Sequence, residues 1–179
     1  MRIVRDGLTL RDAVDTDVEA VVAPVEPACR GESSRTGWTA EADILAGRRA
    51  DPEGVLAVVE PPDSCLPTVE REGAMVACRQ LEHRGTSAHF GKSAVGPRPR
   101  GAGPGRTVIA EAERLTRRTW GVTQMRMNVI SMREELIAWY VRRGHRRTGE
   151  MTPFPYGDER FGVPRHDGLQ FELLVKPLA

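Results

Sequence analysis

The sequence predicts one mixed α/β domain, on three observations. Its 179 residues are close to the usual size of a single compact domain. Hydrophobic residues make up 40% of the chain, enough for a sizeable core. Segments with strand-period alternation are interspersed with segments of helical period. Their order is strand, helices, three strands, helix, strand, helix, then a closing strand or two. Charged residues stand at an ordinary 28%, so chain-long disorder is excluded. No run of eighteen apolar residues occurs, and Met1-Arg2-Ile3-Val4-Arg5-Asp6 lacks the apolar stretch of a signal peptide. A cytoplasmic protein with no membrane segment is expected.

Leu8-Thr9-Leu10-Arg11 reads as the opening strand. Thr16-Asp17-Val18-Glu19 has the form of a capping box, and Val18, Val21 and Val22 give the following helix an apolar face that Pro24 interrupts. Residues 26–38 are loop-like; a second helix is expected after Thr39, and a short one at Asp51-Pro52. Leu66 to Glu70 and Ala74 to Leu81 read as a hairpin about Arg71-Glu72-Gly73, with another strand from Ala88 to Val95. After the glycine-rich segment 96–105 comes a helix from Arg106 to Trp120, with Glu113 and Arg117 four residues apart as a pair and Gly121 at its stop. Met125 to Ile130 alternates as a strand. Ser131-Met132-Arg133-Glu134 is a second capping box, opening a helix with Leu136, Ile137, Tyr140 and Val141 on one face and Gly144 at its end. Leu169, Phe171, Leu173 and Val175 alternate with polar residues as the last strand.

The three cysteines, Cys29, Cys65 and Cys78, suit neither a disulfide framework nor a zinc site, and reduced thiols are expected. His83, His89, His145 and His166 show no metal-ligand spacing, so no metal centre is expected. Net charge is +1 but unevenly spread: residues 1–90 carry −6, residues 91–150 carry +8 and residues 151–179 carry −1. A basic middle third in a near-neutral chain points to one locally held anionic ligand. It does not suit a chain that coats a nucleic acid or a membrane. The aromatic residues are not interleaved with those arginines, and no nucleic-acid recognition motif is present.

The most informative stretch is Val95-Gly96-Pro97-Arg98-Pro99-Arg100-Gly101-Ala102-Gly103-Pro104-Gly105-Arg106. Glycines let successive amides turn inward into an anion nest, and the helix that follows aims its unpaired amides at the same spot. Arg100 and Arg106 flank this pyrophosphate cradle. Arg106-Thr107 after Gly105 does not match a Walker A loop. Gly101-x-Gly103-x-Gly105 does not match the dinucleotide fingerprint.

Arg100-Gly101-Ala102-Gly103-Pro104-Gly105 resembles the Gln/Arg-x-x-Gly-x-Gly/Ala acetyl-CoA motif of the GCN5-related N-acetyltransferase (GNAT) superfamily. Leu136-Ile137-Ala138-Trp139-Tyr140-Val141-Arg142-Arg143-Gly144-His145 resembles that superfamily's later helix, where a tyrosine precedes a Gly-aromatic turn. The close resemblance covers residues 88–150, the acetyl-CoA-binding core. Residues 8–22 resemble the opening strand and helix more weakly. Residues 151–179 form an acceptor-side loop and last strand, and Pro153 to Gly162 is similar to a subgroup of small bacterial acetyltransferases.

The resemblance implies a single N-acetyltransferase domain over residues 1–179. Its central mixed sheet would have six or seven strands, splayed between the fourth and fifth and flanked by about four helices. Pantetheine would pair with the backbone of Ser93, Ala94 and Val95, and the pyrophosphate would sit on Arg100, Gly101, Ala102, Gly103, Gly105 and Arg106. An amine acceptor entering from the opposite side would attack the thioester directly, with CoA as product. A strand-four amide would stabilise the oxyanion. Tyr140 maps onto the general acid that protonates the leaving thiolate, a role that suits a phenol protonated at neutral pH. Base candidates are Glu82, His89 and Glu172; Phe154, Tyr156 and Phe161 lie where relatives shape the acceptor pocket.

Some positions depart from the family pattern. Arg133 replaces an asparagine and can contact phosphate instead. Pro104 removes one cradle amide. His145 replaces an aromatic ring, either as a second acid–base group or as a packed substitute. Homodimers are frequent among relatives. The alternative function is a catalytically silent acyl-CoA-binding sensor or partner module.

Overall fold

The computed structural model describes residues 2–4, 7–22, 43–46, 52–95 and 105–179. The segment 96–104, with Arg100, Gly101, Ala102 and Gly103, lies outside the described residues, as do the loop at 26–38, Cys29 and Trp38. In chain order come β1 (Arg2–Val4), β2 (Leu8–Asp12), α1 (18–22), β3 (Leu45–Ala46) and α2 (Pro52–Val59). Next are β4 (Ser64–Cys65), β5 (Pro67–Arg71), β6 (Ala74–Arg84), β7 (Ser87–Val95) and α3 (Gly105–Trp120). β8 (Gln124–Ile130), α4 (Glu134–Val141), β9 (Arg146–Pro153), β10 (Val163–Pro164) and β11 (Gln170–Pro177) complete the chain.

One mixed sheet runs β1-β2-β5-β6-β7-β8-β11-β9, with β4 also on β6, while β3 and β10 pair separately. Its neighbours are antiparallel except β7 and β8, which α3 links as a parallel crossover. The predicted hairpin turns at Glu72 and Gly73, both at positive φ, the two-residue geometry that matches strand twist.

Helices cover both faces. Along β6, Cys78 joins α1 and α2 through Val18, Val21, Val55 and Val58, while Leu81 packs on the other face with Ile109 and Ala112 of α3 and Ile137 and Tyr140 of α4. Gly121 at positive φ stops α3, its N–H donating to Arg117 O at 3.0 Å. No helix among the described residues is long and apolar enough to cross a membrane.

Several local expectations are corrected. At the first helix, Asp17 takes the part expected of Thr16 and Glu19: its carboxylate accepts from Val14 N at 2.9 Å and from both Arg11 Nη atoms at 2.6 and 2.8 Å. Arg11 holds that carboxyl below the usual carboxylate range, and an arginine-clamped carboxylate outcompetes a hydroxyl. No side chain caps α4: Ser131 N donates to Gln170 O, and Glu134 is drawn to Arg147 at 3.0 and 3.2 Å. Glu113 pairs with Lys176 of β11 at 2.7 Å instead of its helix neighbour Arg117. The helix expected after Thr39 begins outside the described residues; of the stretch that follows, Leu45 and Ala46 are strand β3 against Val163 and Pro164.

Candidate active site

The sheet opens at its one parallel junction. The β7–β8 ladder runs only from Ser87 opposite Gln124 to His89 opposite Arg126, yet β7 continues to Val95 and β8 to Ile130. On its other edge β7 stays paired with β6 as far as Val95 opposite Ala77. Just beyond the last β7–β8 pair, the register with β6 slips between Arg79 opposite Ser93 and Leu81 opposite Phe90. Gly91 and Lys92 therefore face the single residue Gln80. Such a bulge bends its strand and twists it more strongly, which carries β7 away from β8. A Cβ at position 91 would lie 2.9 Å from Gln80 Oε1 and 3.2 Å from Gln80 Cβ, so the Gln80 side chain would have to shift to admit one.

Tyr140 lies beside this opening. Its side chain is 6% exposed, and its ring meets Phe90, the first β7 residue past the ladder, edge-on at 6.4 Å. Trp139 and His145 pack around it at 5.1 and 5.5 Å. Arg79 Nη2 donates to the phenol oxygen at 3.3 Å, and the guanidinium lies over the Phe90 ring, 3.0 Å from its centroid. Sequence reading missed this arginine, whose only mark is that it shares one face of β6 with Ala77 and Leu81.

His145 is 2% exposed, and neither ring nitrogen has a hydrogen-bond partner among the described residues. Burial first, then the nearby Lys176, push its imidazole down to about 4 against a smaller upward pull from the Tyr140 backbone, so the ring is neutral and packs as an aromatic substitute. Cys65 is no thiolate: burial, then Asp12, push its thiol up to about 12.

Glu82 and His89 stand opposite each other across β6 and β7. Because His89 is adjacent to Phe90 in the strand, it points to the sheet face away from Tyr140. Burial, then Arg84 and Arg126, lower its imidazole against the opposing pull of Glu82, leaving it unprotonated at neutral pH. Glu82 is paired with Arg84 at 2.8 Å. Glu172 is 2% exposed and clamped by Arg147 at 2.5 and 2.8 Å, so both its oxygens are already engaged.

Of the expected cradle, Gly105 and Arg106 form the first residues of α3. Arg133 stands at the start of α4. Ser93, Ala94 and Val95 lie in the part of β7 that has left β8. In the aromatic loop, Phe154 is buried with Leu45, Ile130 and Leu169. The Tyr156 hydroxyl donates to His166 O at 2.9 Å and accepts from Leu169 N at 2.8 Å, pinning the loop, while the rings of Tyr156 and Phe161 stay exposed.

An antiparallel sheet with one parallel, opened junction, flanked by two helices on each face, is the fold of the GNAT acetyltransferases. Among solved structures, the chain is similar to a ribosomal-protein-alanine N-acetyltransferase from Brucella melitensis, with 20% identity over 95% of this chain and 99% of that one, TM-score 0.68. It is similar to nourseothricin acetyltransferase, with 19% identity over 97% and 99%, TM-score 0.64. A third is the paiA N-acetyltransferase from Thermoplasma acidophilum in complex with coenzyme A, with 14% identity over 95% and 98%, TM-score 0.66. No family model and no curated protein matches the sequence. At these identities the likeness establishes the fold alone.

Proposed function

We propose that the protein is an acetyl-CoA-dependent N-acetyltransferase that acetylates a primary amine of a small molecule or peptide. The observation that carries this reading is the opened β7–β8 ladder with the Tyr140 phenol buried beside it. Beyond His89, β7 keeps β6 on one edge and has no ladder partner on the other among the described residues. Backbone amides and carbonyls inside a sheet need partners. An extended pantetheine arm carries two amides and fits that edge, with Ser93, Ala94 and Val95 as its hydrogen-bonding strand. The first amides of α3, at Gly105 and Arg106, lack intrahelical acceptors and favour an anion. With Arg100, Gly101, Ala102 and Gly103 ahead of them in sequence, they form the seat for pyrophosphate, and Arg133 adds charge from the start of α4.

Acetyl-CoA, when bound, supplies an acetyl thioester. Tyr140 holds a proton at Oη for the departing thiolate. Because Arg79 donates to the phenol oxygen, the phenol's own hydrogen is left for another acceptor. A β7 amide donates to the carbonyl oxygen as charge builds on it. The acceptor amine approaches from the sheet face that carries Glu82 and His89, where the unprotonated His89 ring can take up a proton. Transfer is read as direct within a ternary complex, with proximity as the main catalytic device.

The test is thiol release from acetyl-CoA across a panel of amines. Tyr140→Phe lowers kcat on the order of 100-fold, the usual worth of a general acid, and leaves acetyl-CoA affinity unchanged. Acetyl-CoA binding with no thiol release on any amine would instead identify a silent binding module.

A further inference from the structure

We infer that Arg142 and Arg143, with Arg106 beside them and Trp139 beneath, form a second phosphate seat that takes the 3′-phosphate at the nucleotide end of coenzyme A. The inference rests on the acetyl-CoA reading above and assigns Arg142, Arg143 and Trp139, which that reading leaves unused. The Arg143 guanidinium lies flat on the Trp139 ring, 3.5 Å from its centroid, and its Nη1 donates to Trp139 O at 2.8 Å. Trp139 in turn faces the first residue of α3: a Cβ on Gly105 would lie 3.6 Å from Trp139 Cζ2. The end of α4 and the start of α3 thus meet on one indole.

The charges there are unbalanced. Burial, then Arg142 and Arg106, lower the Arg143 guanidinium from its ordinary value, and no carboxylate opposes them. None of the three arginines has an ion pair among the described residues, although Arg114, Arg147 and Arg84 all do. The Arg143 Nε is buried without a hydrogen-bond partner among the described residues. Three like charges gathered at the positive end of a 16-residue helix cost free energy that a polyanion recovers. A guanidinium already stacked on an indole loses little further freedom on binding, and it meets a phosphate through two parallel N–H bonds. The amides at the start of α3 serve the pyrophosphate, which leaves this cluster for the remaining phosphate of the carrier.

Calorimetric titration with CoA and with dephospho-CoA, which lacks the 3′-phosphate, separates the two phosphate sources. Wild type is expected to bind CoA on the order of tenfold more tightly, the worth of one charge-assisted pair. In Arg142→Gln/Arg143→Gln that preference disappears, while the Kd for dephospho-CoA stays within about twofold. The exposed Arg142→Gln alone, which leaves the Arg143–Trp139 bond intact, is expected to lose about a threefold share. Equal wild-type affinity for the two ligands overturns the seat, as does a double variant that weakens both ligands alike. Failure of wild type to bind either ligand overturns the acetyl-CoA reading itself and this seat with it.

Discussion

His145 makes the protein's stability fall in mild acid. In the folded chain its ring is 2% exposed, without hydrogen-bond partners among the described residues, and pushed from 6.5 down to about 4 by burial and by Lys176. The unfolded chain therefore binds a proton below pH 6.5 that the folded chain accepts only near pH 4. Stability from this group is fully present above 6.5 and is lost as pH falls from 6.5 toward 4. At pH 5 the loss is about 2 kcal/mol, and its full extent below pH 4 is about 3 kcal/mol. His145→Phe keeps an aromatic ring beside Tyr140 and removes the titration. Urea denaturation of both proteins from pH 7.5 to pH 5 is the assay. The stability difference between variant and wild type is expected to shift by about 2 kcal/mol in favour of phenylalanine over that range. Every other titrating group, His89 included, is common to both and cancels. A difference that stays constant with pH would show that His145 is solvated or partnered and refute the burial argument.

Other perturbations probe the frame of the site. Arg147→Ala strands the buried Glu172 carboxylate, and denaturant unfolding should register a clear loss of stability; a midpoint equal to wild type would mean that Glu172 finds other partners. Glu172→Gln, in contrast, is expected to retain thiol release per folded molecule, and its abolition would restore Glu172 as a base. Gly91→Ala presses on Gln80 at the bulge and is expected to cost about 1 to 2 kcal/mol in denaturant unfolding, with weakened acetyl-CoA binding; wild-type values for both would separate the bulge from the opening.

Elements marked by apolar spacing were legible in the chain. The alternation of Leu8 and Leu10, the glycine stop at 121 and the helical face of Ile137 and Tyr140 each reappear as elements. β9 was not legible, since all eight of its side chains are exposed and no alternation marks it; it forms because β11 offers a free edge. The two capping boxes misled for different reasons. At the first helix Asp17, oriented by Arg11, caps Val14 in place of Thr16 and Glu19, whereas Glu134 is drawn off by Arg147, 13 residues away. The opening of the sheet was expected only through resemblance. Its local cause, a bulge at Gly91 opposite Gln80, depends on strand register, which no short motif encodes. Tyr140 stood out beside the glycine-rich segment. Arg79 did not, because a buried arginine is visible only once the phenol it serves is in place.

Amide hydrogen exchange, with and without acetyl-CoA, tests most directly whether the opened edge of β7 is the binding strand. Added acetyl-CoA is expected to slow exchange at residues 90–95 and at the first turn of α3, leaving β2 and β9 unchanged. Unaltered exchange along β7, with acetyl-CoA bound and protection elsewhere, would contradict it.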